Sequence, residues 1–534
     1  MPPEGPTSAV RGGARKLLSL CNNFISILGL LIVAVSSATL VAFALLALTS
    51  GTANPYLNVI GYLVMPGILL LGLVIVPLGA LWKQVRLRRL QGRPVPRHVH
   101  LDLSDRPTLG ALLIFLALTF TVVLPLVAGS SYQAYRYSET TAFCATTCHT
   151  VMEPQGTAHA VSPHARVTCA ECHIGEGAGW FVKSKLSGAR QIFAVALGTY
   201  SRPIPPAITE LRPARDTCEH CHWPDKFHGA QLKEVVHYSP DEENTRRVVR
   251  MLLKTGGADE SIGRVEGIHM HMMVAGRIEY VALDEHLQEI PWVRHVQADG
   301  TSTTYRSDGQ PSDAPPPAGI ARTVDCMDCH NRGAHHFRPP YMAIDLQIEA
   351  GRIDGTLPYI KREAVAALAG EYADAATADA EIERRLREFY AREYPELIET
   401  RAAALTQAIE ATREARRRNF FPTMRVDWRT YPENVGHMFS AGCFRCHDGR
   451  HVDAQGRAIS SDCLTCHTFL NPVPGQPGLV REGAFEHSMS LHLHEKLRCE
   501  QCHTGGRLLL CRDCHTDLRG LDDWRDTGRL RQMP

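Results

Sequence analysis

Sixteen of the seventeen cysteines fall into eight pairs, and a histidine follows each pair at once. The early triplets are Cys144/Cys148/His149, Cys169/Cys172/His173, Cys218/Cys221/His222 and Cys326/Cys329/His330. The later ones are Cys443/Cys446/His447, Cys463/Cys466/His467, Cys499/Cys502/His503 and Cys511/Cys514/His515. Seven have two residues between the cysteines; the first has three, Ala145, Thr146 and Thr147. This composition supplies about 0.03 copies of C-x-x-C-H by chance, so the repeat reflects chemistry. Two thiols add across the vinyl groups of a haem, and the next histidine is held beneath the iron as proximal ligand. Zinc ribbons and disulfide frameworks also pair cysteines, but neither asks for a histidine after every second one. Eight c-type haems are expected. Cys21, the cysteine left over, reads as a small apolar residue.

A second constraint lies in the first 131 residues. Phe24 to Thr49, Tyr56 to Trp82 and Leu109 to Gly129 are apolar runs, each long enough for a hydrocarbon core, which takes about 20 helical residues. Pro66, Pro77 and Pro125 are tolerable there, and a cleavable signal would be shorter. Arg11, Arg15 and Lys16 precede the first run, and none of Ser50 to Pro55 is basic. Between the second and third runs lie Lys83, Arg86, Arg88, Arg89, Arg93, Arg97 and Arg106. Basic loops stay inside, so the expectation is a bacterial cytoplasmic (inner) membrane protein, its N-terminus cytoplasmic and its haem domain periplasmic. Haem attachment takes place on that side, so the two constraints agree. A net charge of +1 argues against nucleic acid as a partner.

The fold class expected is a mostly α membrane anchor of three transmembrane helices (residues 1–131), plus a periplasmic multihaem c-type cytochrome domain with little regular structure. The latter divides into a three-haem module (132–224), a partly β insertion (225–320), a single-haem segment (321–356), a helical insertion (357–420) and a four-haem C-terminal module (421–534). RIEYVAL, Arg277 to Leu283, alternates as a strand does. The Ala/Glu/Arg-rich stretch before residue 420 predicts one or two long helices broken near Pro395. Ser307 to Gly319 is a linker. Eighteen of the 26 histidines lie outside the motifs. Those flanking motifs or grouped together are distal-ligand candidates: His164, His269, His271, His335, His336, His437, His451, His492 and His494. His269 and His271 are expected to share one strand face.

FCATTCHTVM, then SPHARVTCAECHIGEG, then KSKLSGARQI, over residues 143–192, together resemble the NapC/NirT/NrfH family of quinol-oxidising cytochromes. The resemblance implies a quinol dehydrogenase fed by the membrane quinone pool, with quinol or menaquinol bound from the lipid bilayer beside the first haem. It implies a site lysine downstream of the second motif, for which Lys185 is the nearest match and Lys183 the second. In that family a methionine after the first motif can replace the motif histidine on iron; Met152 stands there, so His149 and Met152 are alternatives. LRPARDTCEHCHWP, VDCMDCHNR and GHMFSAGCFRCHDGRH are more similar to the ImcH-type inner-membrane cytochromes of metal-reducing bacteria, up to about residue 470. The last two motifs read as an extension. Electrons would pass to periplasmic c-type cytochromes or a terminal reductase. Two alternatives stay open: a terminal reductase of a small nitrogen or oxyanion substrate, and an electron-transfer subunit with no quinol site.

Overall fold

The computed structural model describes residues 15, 18–49, 60–91, 105–147, 149–175, 177–206, 213–223, 227, 229–256, 258–259, 264–265, 267–272, 276–297, 299–437, 440–472, 480–483, 503–504 and 507–508. The chain forms two compact units, Met1–His149 and Thr150–Pro534.

The first unit holds three helices long and apolar enough to cross a membrane, Phe24–Leu46, Ile60–Leu90 and Arg106–Ser138. The body of the second is α-helical from Met65 to Leu90, after a π turn at Ile60–Val64. The third is interrupted by a π turn at Thr119–Val123. Each π turn stands just before a proline, Pro66 or Pro125, whose missing N–H breaks the regular ladder. Between the first two helices the backbones approach closely, because glycines line the contact. A Cβ on Gly72 would lie 2.7 Å from Ile32 Cγ2, and one on Gly79 would lie 2.5 Å from Ser26 N. Ser26 Oγ donates across the seam to Val76 O at 3.0 Å. Small residues and interhelical hydrogen bonds are what hold helices together in lipid, where apolar burial gives no gain. Leu40, Leu69 and Val123 form the buried centre, while Leu31, Leu71, Leu113 and Phe120 face outward. In water that surface would be an aggregation site; in lipid it is the solvent-facing side. Gly79→Val is expected to cost about 1–3 kcal/mol by overpacking and to lower the membrane-inserted yield several-fold on immunoblots of membrane fractions. Gly67→Val is the control, since a Cβ there meets nothing within 4 Å; equal yields for the two would remove the packing argument.

The second unit is organised around its insertions. Strands β1 (Gln231–Tyr238) and β2 (Arg246–Leu253) pair antiparallel along their whole length. A second sheet has the spatial order β7, β6, β5, β8, where β5 is Gly276–Ala282, β6 Trp292–Gln297, β7 Ser302–Arg306 and β8 Ile320–Thr323. Two short strands, β3 (Ala258–Asp259) and β4 (Arg264–Val265), pair between them. The helical insertion has two long helices, Ala375–Glu393 and Ala402–Asn419, separated by a short one beginning at Pro395. Asp374 caps the first, accepting from Thr377 N at 2.7 Å. Its buried residues, Ala378, Ile382, Leu386, Phe389 and Tyr390, recur at helical spacing, and the last four share a core with Leu405, Ala408 and Ile409 of the last helix. Tyr238 of β1 and Ile344 of the helix Pro340–Glu349 belong to the same core.

Both sheets also grip the motif segments. Strand β2 pairs with β9 (His467–Pro472), matching Leu253 to His467 and Met251 to Phe469. Lys254 N donates to Cys466 O at 2.9 Å, and Lys254 Nζ to Leu464 O at 2.6 Å. At the end of β7, Arg306 and Val452 exchange backbone hydrogen bonds at 3.0 Å. The haem-poor insertions are thus the frame in which the motifs are set.

Candidate functional site

Each fully described motif is a single helical turn. Helices Cys169–His173 and Cys326–Cys329 carry the second and fourth motifs, and Ala214–Cys218 leads into the third. The fifth and sixth lie on 3₁₀ turns, Gly442–Arg445 and Cys463–Thr465. Polar residues ahead of the first cysteine start several turns: Asp325 accepts from Met327 N at 2.8 Å, and Asp462 from Leu464 N at 3.0 Å. Such caps satisfy the free N–H groups that begin a helix. The turn closes onto the histidine, with His222 N, His330 N and His447 N donating to Cys218 O, Cys326 O and Cys443 O at 2.8, 2.7 and 3.0 Å. C-x-x-C-H folded this way presents two thiols and an imidazole side by side.

At the first motif the extra residue is taken up by a π turn, Phe143–Thr147, the usual form of a one-residue insertion in a helix. Cys144 lies on it; Cys148 lies outside the described residues. Met152 is half-buried on the helix His149–Ala160. Also outside the described residues are His492, His494, Cys499, Cys502, Cys511, Cys514 and His515, while His503 is described only as strand backbone.

Every motif histidine from the second motif to the sixth faces another imidazole. Ring centres are 6.2 Å apart for His173 and His335, 6.1 Å for His222 and His164, and 6.4 Å for His330 and His269. They are 5.8 Å apart for His447 and His271, and 6.3 Å for His467 and His437. Two imidazoles on opposite sides of one metal, each bonded at about 2 Å with its centre about 1 Å further, put ring centres roughly 6 Å apart. The spacing fits a haem iron in five places.

Hydrogen bonding agrees. His164 Nδ1 donates to Gly333 O at 3.1 Å, His335 Nδ1 to Gln155 O at 3.2 Å, and His271 Nδ1 to Ile268 O at 2.6 Å. His269 Nδ1 donates to Thr255 O, and His447 Nδ1 to Ser460 O. A Nδ1–H so fixed leaves Nε2 as the metal-binding nitrogen and sets the ring's orientation. Burial holds His271 below its ordinary range, and burial with the Arg332 charge pushes His335 down to about 3. Both are neutral, the form that binds iron. Several buried polar atoms beside the motifs lack partners among the described residues, including Thr217 Oγ1, Gln155 Oε1 and Arg332 Nη2. Among the described residues, no group of three or more His, Cys, Asp or Glu is placed to hold a bare metal ion. Two facing imidazoles suit a group that brings its own ring of nitrogens.

The motifs also follow one another in space. Cys172 lies near Cys221, and Cys218 lies beside Cys326. Cys329 lies near Cys446, and Cys443 near Cys466. The order from the second motif to the sixth is the order of the sequence.

Two expectations change. His269 and His271 do not share a strand face; they sit on a 3₁₀ turn, Ile268–Met272. Three residues per turn send positions two apart to different sides, here towards His330 and His447. His451 is buried with Nδ1 on Asp448 Oδ1 at 2.8 Å and Nε2 on Ile290 O at 2.6 Å, so neither ring nitrogen is left for iron. It latches the loop after the fifth motif to the second sheet. His336 pairs through Nδ1 with Glu433 at 2.9 Å, a contact that does not engage its Nε2.

Lys183 and Lys185 lie on the helix Ala178–Ala196. Lys183 is exposed, with Nζ 4.9 Å from the Trp180 ring centre, while Lys185 is half-buried. Val182, Leu186, Phe193 and Leu197 are exposed in the same segment, at spacings that put them along one face.

Comparison with known proteins agrees with this chemistry. The model of the NapC/NirT cytochrome c family, N-terminal region, matches residues 106–204, and that of cytochrome c3 matches residues 437–516. Cytochrome c-type protein ImcH of Geobacter sulfurreducens is 40% identical over 498 residues, covering 92% of this chain and 96% of the relative. No solved structure matches.

Proposed function

The chain belongs to the membrane-anchored multihaem c-type cytochromes of the NapC/NirT family, as a relative of ImcH, and on that premise we propose that it is a quinol dehydrogenase of the cytoplasmic membrane. It oxidises quinol or menaquinol and relays the electrons through eight covalently held haems to periplasmic c-type cytochromes or a terminal reductase. The N-terminus is cytoplasmic and the haem unit periplasmic. The observation that carries the relay is the row of five motif histidines, each faced by a second imidazole. Filled on both sides, these five sites favour electron transfer over substrate binding at iron, which speaks against a terminal reductase at any of them.

When bound, haem supplies reversible one-electron acceptance at a potential tuned by axial ligands and burial. The chain does the rest. His173/His335, His222/His164, His330/His269, His447/His271 and His467/His437 hold the successive groups, and the β insertion fixes their spacing. Each quinol gives up two electrons, one at a time, and two protons. The apolar face of Val182, Leu186, Phe193 and Leu197 rests at the lipid surface. There Lys185 orients a quinol oxygen and lets its proton pass to water on the periplasmic side.

The test uses purified full-length protein in lipid nanodiscs under anaerobic conditions, mixed with a reduced menaquinol analogue while haem absorbance is followed. Reduction is expected. Haems that stay oxidised with the quinol yet reduce with dithionite would leave only an electron-transfer subunit. Lys185→Ala is expected to slow quinol-driven reduction at least tenfold, within the range of a lost proton-transfer group, with dithionite reduction unchanged. Equal quinol rates in variant and wild type would remove Lys185 from the site.

A further inference from the structure

Arg332 is a buried cation that forms no salt bridge among the described residues. Arg332 follows the fourth motif by two residues and lies against two neighbouring aromatic rings, its Cζ 5.1 Å from the Phe337 centre and 4.6 Å from that of Tyr431. Nε donates to His335 O at 2.9 Å. Nη2 is buried and has no hydrogen-bond partner among the described residues. Glu433 is engaged by His336 Nδ1 at 2.9 Å. A buried arginine of this kind is costly unless an anion meets it, because the lost hydration exceeds what aromatic faces return.

The anion is close at hand in the proposed function. His335, whose carbonyl Arg332 holds, faces His173 of the second motif at 6.2 Å. Any haem carries two propionate carboxylates on its rim. We propose that Arg332 is the propionate anchor of the haem held by His173 and His335, with Nη2 donating to the carboxylate. The inference rests on that histidine pairing. Arg332 is therefore a positioning residue: it fixes the macrocycle's rotation and its charge favours the reduced state. His159 stands 6.4 Å from His335 as well, but its Nε2 is bonded to Val167 O at 2.9 Å, so it leaves the pairing to His173.

The experiment is a spectroscopic redox titration of the purified holoprotein with three variants. His335→Met changes one axial ligand and so marks its haem in the low-spin electron paramagnetic resonance spectrum; His269→Met marks the haem of the fourth motif in the same way. Arg332→Gln is expected to lower the midpoint potential of the haem that His335→Met marks, leaving the others in place, since a positive charge beside it is lost. Arg332→Lys, which keeps the charge, is expected to restore most of the shift. No shift in Arg332→Gln with haem content intact overturns the proposal, as does a shift confined to the haem marked by His269→Met. If Arg332→Gln fails to accumulate, Arg332→Lys decides: full haem content with a near-native potential supports a charge partner, and failure alike in both variants overturns it. A His335→Met protein with no changed haem signal rejects the pairing itself, an outcome distinct from loss of the arginine's role.

Discussion

His271→Ala is expected to turn one haem of the set high-spin and to open its iron to carbon monoxide, without loss of covalent haem. His271 faces His447 at 5.8 Å with the rings nearly perpendicular, 82° apart. Its Nδ1–H is committed to Ile268 O at 2.6 Å, so Nε2 is the nitrogen presented to the shared group. Truncation removes that nitrogen and leaves the thioether cysteines and His447 in place, the latter still fixed by Ser460 O. Loss of a strong axial donor raises the potential. A rise of order 100 mV shifts the one-electron equilibrium about fiftyfold, at 59 mV per factor of ten. An electron entering from the earlier motifs then rests at the fifth, and delivery to an acceptor beyond it slows by a similar factor. Electron paramagnetic resonance and a carbon monoxide difference spectrum read the first effect, and stopped-flow oxidation by an added periplasmic cytochrome reads the second. An unchanged low-spin spectrum would break the pairing of His271 with His447. His451→Ala makes a sharp contrast: both ring nitrogens there are already bonded to protein, so no high-spin haem is expected from it.

That contrast shows where sequence reading succeeds and where it stops. Haem attachment was legible because C-x-x-C-H closes on itself within one turn, and a local motif needs no tertiary information. The membrane helices and the helical insertion broken at Pro395 were legible for a similar reason: their composition is written in consecutive residues. The second ligands were legible only as candidates: His164, His269, His271, His335 and His437 were among those named, but their pairing with particular motifs was not. His335 reaches His173, and His271 reaches His447, across segments distant in the chain, so proximity to a motif did not say which motif a histidine would face. It favoured His451, which turned out to be a latch. The alternation in IHMHM read as strand, yet Gly267 at a φ of 96° opens a 3₁₀ turn instead. A side chain at Gly267 would collide with Gly256 O at 2.6 Å, so this turn depends on glycine. The β insertion was visible as strands, but its role as frame depends on the pairing of β2 with β9, which no local pattern announces.

Asp328→Ala is expected to destabilise the second unit by about 3–5 kcal/mol, the cost of stripping one partner from a buried ion pair. Asp328 is the second variable residue of the fourth motif and is 2% exposed. Its carboxylate accepts from Arg322 Nε at 2.7 Å, from Asp325 N at 2.7 Å, and from the Tyr280 hydroxyl. One side chain thus closes the capping box of its own motif helix, neutralises an arginine on β8 and ties down a tyrosine on β5. Removing it leaves the Arg322 charge buried without its main partner and the Tyr280 hydroxyl unsatisfied. Arg322→Met combined with Asp328→Ala should recover part of the loss, because two apolar groups cost less than one stranded charge. The thermal midpoint of the holoprotein, followed by circular dichroism, should fall by several degrees in the single variant and less in the double; a single-variant midpoint equal to wild type would remove Asp328 from this role. The consequence reaches beyond stability. Asp328 O also accepts from Arg445 Nη2 at 2.6 Å and Asn434 Nδ2 at 3.0 Å, so the turn that Asp328 caps is bolted to the fifth motif. Loosening that cap should therefore slow electron passage between the fourth and fifth motifs even where the protein stays folded.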